Sequence, residues 1–191
     1  MALAKYNFNN QSGFTLIETM VATGILAMAL TALAQMFAIS VQNNLVARNA
    51  SFTSILAMQK MEQLRGLTYG FDTLGLPITD SATDTSVTPE AATGGTGLAP
   101  SPSNTMRAST NGYVDYLDHN GTSLGGGTVV PNGTAFIRRW MVEPLPTNPN
   151  NTVILQVLVT RSRDRGTANT GSVARAPEEA RLVTVKTRKA Q

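Results

Sequence analysis

From Phe14 to Ala47 the chain carries one charged residue, Glu18, in a mostly apolar run that reads FTLIETMVATGILAMALTALAQMFAISVQNNLVA. An apolar span of about 20 residues or more crosses a bilayer as a helix. The preceding residues, MALAKYNFNNQSG, are short and polar, with Lys5 and the amine as positive charges. A secretory signal has a shorter apolar region and a small-residue cleavage site after it. Here the small residue, Gly13, comes before the run and no A-x-A stop follows it. The run therefore reads as a retained anchor.

Glu18 is the exception within it. A charge at mid-membrane costs roughly 2.5–3.5 kcal/mol on insertion scales, and less near the interface. An interfacial carboxylate at the start of the span is one reading. A paired carboxylate is the other: cutting before Phe14 would create an amine close to Glu18 in sequence. Among parallel helices, the amine of one subunit could neutralise Glu18 of its neighbour.

The residues Gly13, Phe14, Thr15, Leu16, Ile17 and Glu18, leading into the apolar run, resemble the type IV prepilin motif. The resemblance implies cleavage by prepilin peptidase between Gly13 and Phe14, N-methylation of Phe14, and use of Glu18 in filament assembly. The partners it implies are other pilins, major and minor, the peptidase and the pilus assembly platform. It further implies a single pass through the inner membrane, a periplasmic C-terminal domain, and a cell-surface pilus after assembly. It covers roughly the first third of the chain.

Beyond the anchor, no Pro occurs before Pro77 and no Gly lies between Gly24 and Gly66. LVARNASFTSILAMQKMEQLR is rich in helix formers, which predicts one helix from Phe14 to about Arg65, ended by Gly66 and Gly70. Leu45, Phe52 and Leu56 fall on one side of it, with Met58 and Met61 nearer the other. Asp72 to Asn111 is dominated by Thr, Ser, Ala, Gly and Pro and reads as a loop. Strand signals follow at Tyr113–Leu117, Thr128–Val130, Ala135–Glu143, Val153–Thr160 and Arg181–Arg188, the first two joined through Asn120-Gly121. Val153, Leu155, Val157 and Val159 share one face, as do Val183 and Val185.

The fold class is α+β: a long N-terminal transmembrane and core helix packed on a C-terminal antiparallel sheet. The expected divisions are a leader at 1–13, a helix at 14–66 (14–40 in the membrane, 41–66 on the sheet), a variable loop at 67–111 and a sheet domain at 112–191. The FIRRWMVEP strand resembles the sheet of minor pilins and minor pseudopilins, where Arg and Trp share a strand. With cysteine absent, it favours a minor pilin of the PilV kind, with a type II secretion or DNA-uptake minor pseudopilin as the alternative. An anchored binding domain that never polymerises is the reading from another class.

Chemistry is sparse. No thiolate site is possible without cysteine. His119, the sole histidine, sits in a predicted turn and no Ser-His-Asp set forms around it. Gly125-Gly126-Gly127 lacks the lysine of a phosphate loop. The expectation is a chain with no catalysis, cofactor or resident metal, though Asp115 and Asp118 offer two carboxylates to a calcium ion. Net charge is +3. Late basic residues, among them Arg161, Arg163, Arg165, Lys186 and Arg188, admit phosphate contacts to nucleic acid or a solvated edge that blocks strand pairing. N-x-[ST] triplets, including those at Asn120 and Asn132, are expected in so Asn- and Thr-rich a chain.

Overall fold

The computed structural model describes residues 13–81, 96–164 and 178–189. Helix α1 runs Leu16–Gly66, close to the predicted span. The chain divides into two compact units, residues 1–45 and 46–191, taken in turn.

In the first unit every described residue is exposed, including Leu16, Ile17, Met36 and Phe37. Among the described residues none of these side chains is covered within the chain. The segment begins a helix long and apolar enough to cross a membrane.

The second unit contains the core. Among the described residues, seven strands form two sheets. β1 (Tyr69–Phe71) and β2 (Pro77–Thr79) pair as a small hairpin. The main antiparallel sheet contains β3 (Val114–Leu117), β4 (Ser123–Gly126), β5 (Phe136–Pro144), β6 (Thr152–Arg161) and β7 (Ala180–Thr187), in the order β4-β3-β5-β6-β7. β3 pairs with both β4 and β5, so the chain passes from the edge strand β4 across β3 to β5, which then pairs with β6 and β6 with β7, all antiparallel.

The last turns of α1 lie on one face of this sheet. Thr53, Leu56, Ala57, Lys60, Met61 and Leu64 are the buried helix residues, spaced i, i+3, i+4, i+7, i+8 and i+11. That spacing is a helical stripe. Met61 therefore joins Leu56 in the core while Met58 is exposed, unlike the grouping of Met58 with Met61 expected from the sequence. From the sheet, Leu117, Phe136, Trp140, Val142, Val153, Leu155, Val157 and Val159 meet the stripe. Burying each such side chain contributes about 1.5–3 kcal/mol. The opposite sheet face has a smaller buried cluster, Val114, Tyr116 and Ile137, with Val130 packed on it.

Two further expectations change, and a third is sharpened. The 67–111 stretch is not all loop: it carries the β1–β2 hairpin and contributes Leu98, which is fully buried. Leu98 is held by its N–H to the Asp80 carbonyl, and Gly97 beside it has φ 48°. A Cβ at Gly97 would stand 2.1 Å from that carbonyl oxygen, so only glycine fits. The strand returning from β3 is Ser123–Gly126, not Thr128–Val130, because Asp118 closes a tight turn at once. In β7, Val183 and Val185 share a face as predicted, but the exposed one; Leu182 and Lys186 point to the core side. Val159↔Ala180 and Val157↔Leu182 pairing sets this register.

Candidate functional site

The N-terminal site is built on the first turn of α1. Thr15 precedes the helix, and its hydroxyl accepts the Glu18 backbone N–H at 3.3 Å while donating toward Glu18 Oε2 at 3.5 Å. The Thr15 carbonyl also accepts the N–H groups of Glu18 and Thr19. Thr-x-x-Glu is a capping arrangement, and a carboxylate in the first turn meets the positive end of the helix dipole. The first turn thus accommodates the Glu18 side chain through its bonds to Thr15, and the spacing of Thr15 and Glu18 in the sequence carries that signal. Phe14 is 83% exposed, immediately before the cap. Residues Gly13, Phe14 and Glu18 lie within one short stretch, with Glu18, Val21, Ala22 and Ile25 lining a shallow, mostly apolar surface. The Gly13–Phe14 peptide lies in an irregular segment, and Glu18 is the one carboxylate among the described residues of the first unit.

Sequence reasoning missed a buried polar cluster in the second unit. Asp115 on β3 receives Arg138 of β5 through Nε at 3.0 Å and Nη2 at 2.7 Å. Arg138 Nη1 donates to the Leu56 carbonyl of α1 at 3.0 Å and to Gln59 Oε1 at 3.2 Å. Lys60 of α1 lies 3.7 Å from Asp115 Oδ2 and 4.4 Å from the Trp140 ring. Asp115, Lys60 and Arg138 are all buried. The cluster ties the helix to two strands by directional bonds, where apolar packing alone would permit sliding. Asp115 and Arg138 are direct partners in the β3–β5 register, which brings the two side chains together on the sheet.

The other residues of interest are dispersed. Asp115 is engaged as above, so it is not a free carboxylate for calcium, and Asp118 Oδ1 accepts the N–H groups of Asn120 and Thr122 at 2.8 Å each. The Thr122 and Asn120 amides hold the Asp118 carboxyl below its ordinary value. No group of metal-holding side chains occurs among the described residues. His119 is exposed in the turn.

The basic residues have intramolecular work. Arg161 bonds Glu178 at 2.5 Å and Arg163 does so at 3.1 Å. Burial would raise the Glu178 carboxyl, but the Arg161 and Asn49 bonds and the charges of Arg161 and Arg163 outweigh it and lower the pKa. Lys186 donates to the carbonyls of Leu64 at 3.3 Å, Arg65 at 2.6 Å and Leu67, closing the C-terminal end of α1. Burial, with the charge of Lys189 second, lowers the Lys186 pKa. Arg188 stacks on Tyr69 at 4.1 Å and donates to the carbonyls of Gly70, Ile78 and Asn150, fastening the β1–β2 hairpin to the end of β7. Arg165 lies outside the described residues.

Residues 8–34 match the family described as the prokaryotic N-terminal methylation motif. No curated protein and no solved structure matches the chain. The motif, with a long apolar helix packed on an antiparallel sheet, is consistent with a type IV pilin-like protein. In general terms such a motif implies interaction with a prepilin peptidase and with other pilins, and anchoring in a membrane.

Proposed function

We propose that the chain is a minor type IV pilin, a structural subunit that enters a pilus or its tip complex after prepilin peptidase cuts between Gly13 and Phe14. The carrying observation is the methylation motif leading straight into a helix whose apolar side chains, from Leu16 to Leu45, are exposed. Single-chain burial leaves that surface to lipid before assembly and to other helices after it. Phe14, N-methylated, and Glu18 set the register between subunits, the amine of one neutralising the carboxylate of the next. The domain after residue 45 then lies in the periplasm and, in the filament, at the cell surface. The protein itself performs no catalysis and needs no cofactor; it is a substrate of the peptidase.

The test combines N-terminal mass analysis with sheared filaments. Mature protein should begin at Phe14, and Gly13→Ala should leave it uncut. Glu18→Ala should be cleaved normally yet be depleted at least tenfold from filaments. A mature start elsewhere would overturn the pilin reading, and normal incorporation of Glu18→Ala would overturn the pairing. Absence from sheared pili, with secretion or DNA uptake lost on deletion, would replace the pilus with a pseudopilus.

A further inference from the structure

Four Asn-x-Ser/Thr triplets fall within the described residues, beginning at Asn49, Asn120, Asn132 and Asn150. A triplet of this kind receives a glycan on the asparagine side-chain nitrogen where it sits on an accessible surface turn. The structure sorts the four. Asn49-Ala50-Ser51 is inside α1, with the Ser51 hydroxyl bonded to the Ala47 carbonyl at 3.0 Å. Thr152, which ends the Asn150 triplet, is buried in β6, and the Asn150 carbonyl accepts Arg188 Nε at 2.8 Å. Thr134, which ends the Asn132 triplet, donates its hydroxyl to the Pro131 carbonyl at 2.7 Å and is half-buried.

Asn120-Gly121-Thr122 differs on each count. Asn120 and Thr122 are exposed, and the Thr122 hydroxyl makes no hydrogen bond with the described residues. The backbone is already folded into a compact turn: Gly121 N–H bonds the Asp118 carbonyl, Asp118 N–H bonds the Thr122 carbonyl, and Asp118 Oδ1 accepts the Asn120 and Thr122 amides. Gly121 has φ 85°, and a Cβ there would stand 3.0 Å from Leu56 and 3.4 Å from Phe52 of α1. The inner side of the turn therefore rests on the helix, which leaves Asn120 on the outside. The ionised Asp118 two residues earlier adds a negative group that a basic residue of an enzyme can recognise.

We propose that Asn120 is an N-glycosylation site, modified by an oligosaccharyltransferase that uses a polyprenyl-diphosphate-linked glycan. The Asn120 Nδ2–C1 glycosidic bond forms as the C1–O bond to the diphosphate breaks. Polyprenyl diphosphate leaves, the amide proton passes to a base of the transferase, and no redox change occurs. The inference rests on the export reading above, since the transfer takes place outside the cytoplasm.

The full chain is produced in a host carrying a bacterial oligosaccharyltransferase and one defined lipid-linked oligosaccharide, and in its source organism. Intact mass and fragmentation of the peptide containing Asn120 are measured, together with the N terminus and protease accessibility from outside. In the engineered host the expected result is one glycan mass added at Asn120, lost in Asn120→Gln and kept in Asn132→Gln. The same glycosylated residue in the source organism supports the site in its native setting. A bare Asn120 in protein that begins at Phe14 and faces outward overturns the site, in either host. Equal occupancy of Asn132 overturns the structural selection. A bare Asn120 in uncut, inward-facing protein overturns the export reading and the site with it.

Discussion

At the scale of single residues, the decisive feature is a carboxylate shared by two buried cations. Asp115 serves both Arg138 and Lys60. Removing it strands two buried positive charges, so Asp115→Ala should destabilise the protein by about 3–5 kcal/mol. Replacing all three with apolar residues of similar volume should cost much less, because the uncompensated charge goes with them. Denaturant unfolding of the detergent-solubilised protein, followed by the single tryptophan, Trp140, measures both. Glu178 makes the second residue-scale prediction. Its folded pKa is lowered, so its contribution is present above the unfolded carboxylate value, near 4.3, and is lost as pH falls through the folded one. Glu178→Gln should cost about 1–3 kcal/mol at pH 7, and its melting curve should converge with the unmodified protein's in acid.

At the scale of elements, the register of β7 separates what periodicity can show from what it cannot. Val183 and Val185 alternate with their neighbours as a strand requires, but alternation alone does not say which set faces inward. Pairing with β6 decides it, and Lys186 takes an inward position because the carbonyls ending α1 need donors. Val185→Thr should change stability by under about 0.5 kcal/mol, whereas Val157→Ala on β6 should cost about 2–4 kcal/mol. A large loss from Val185→Thr in thermal unfolding would show the register to be wrong. The stretch after α1 reads as loop in the sequence for a related reason. Strands of three residues, Tyr69–Phe71 and Pro77–Thr79, are too short to show a period, and their hairpin depends on the distant Arg188.

At the scale of the whole molecule, the core lies between Leu56 and Leu182, entirely within the second unit. Residues 46–191 should therefore fold without the anchor, giving a soluble protein with one cooperative unfolding transition. Circular dichroism and calorimetry on that fragment check this, and a broad, non-cooperative melt would count against it. The first unit forms no such core among its described residues. Its apolar side chains are suited to lipid or to other helices, which is the division of labour the proposed filament subunit requires.

Much of this protein was legible in the chain itself. A run from Phe14 to Ala47 with only Glu18 charged dictates an apolar helix, because backbone polar groups in lipid must be satisfied within the segment. Gly13 to Glu18 carries the methylation motif by local identity alone, and the Val153–Val159 alternation specifies a strand with one buried face. These are properties of neighbouring residues. Only the tertiary structure decided that Asp115 meets Arg138 and Lys60, that Lys186 closes α1, that Val183 and Val185 face outward, and that one Asn-x-Thr turn stands clear. Each depends on groups brought together from distant parts of the chain, and on which polar groups burial leaves in need of a partner.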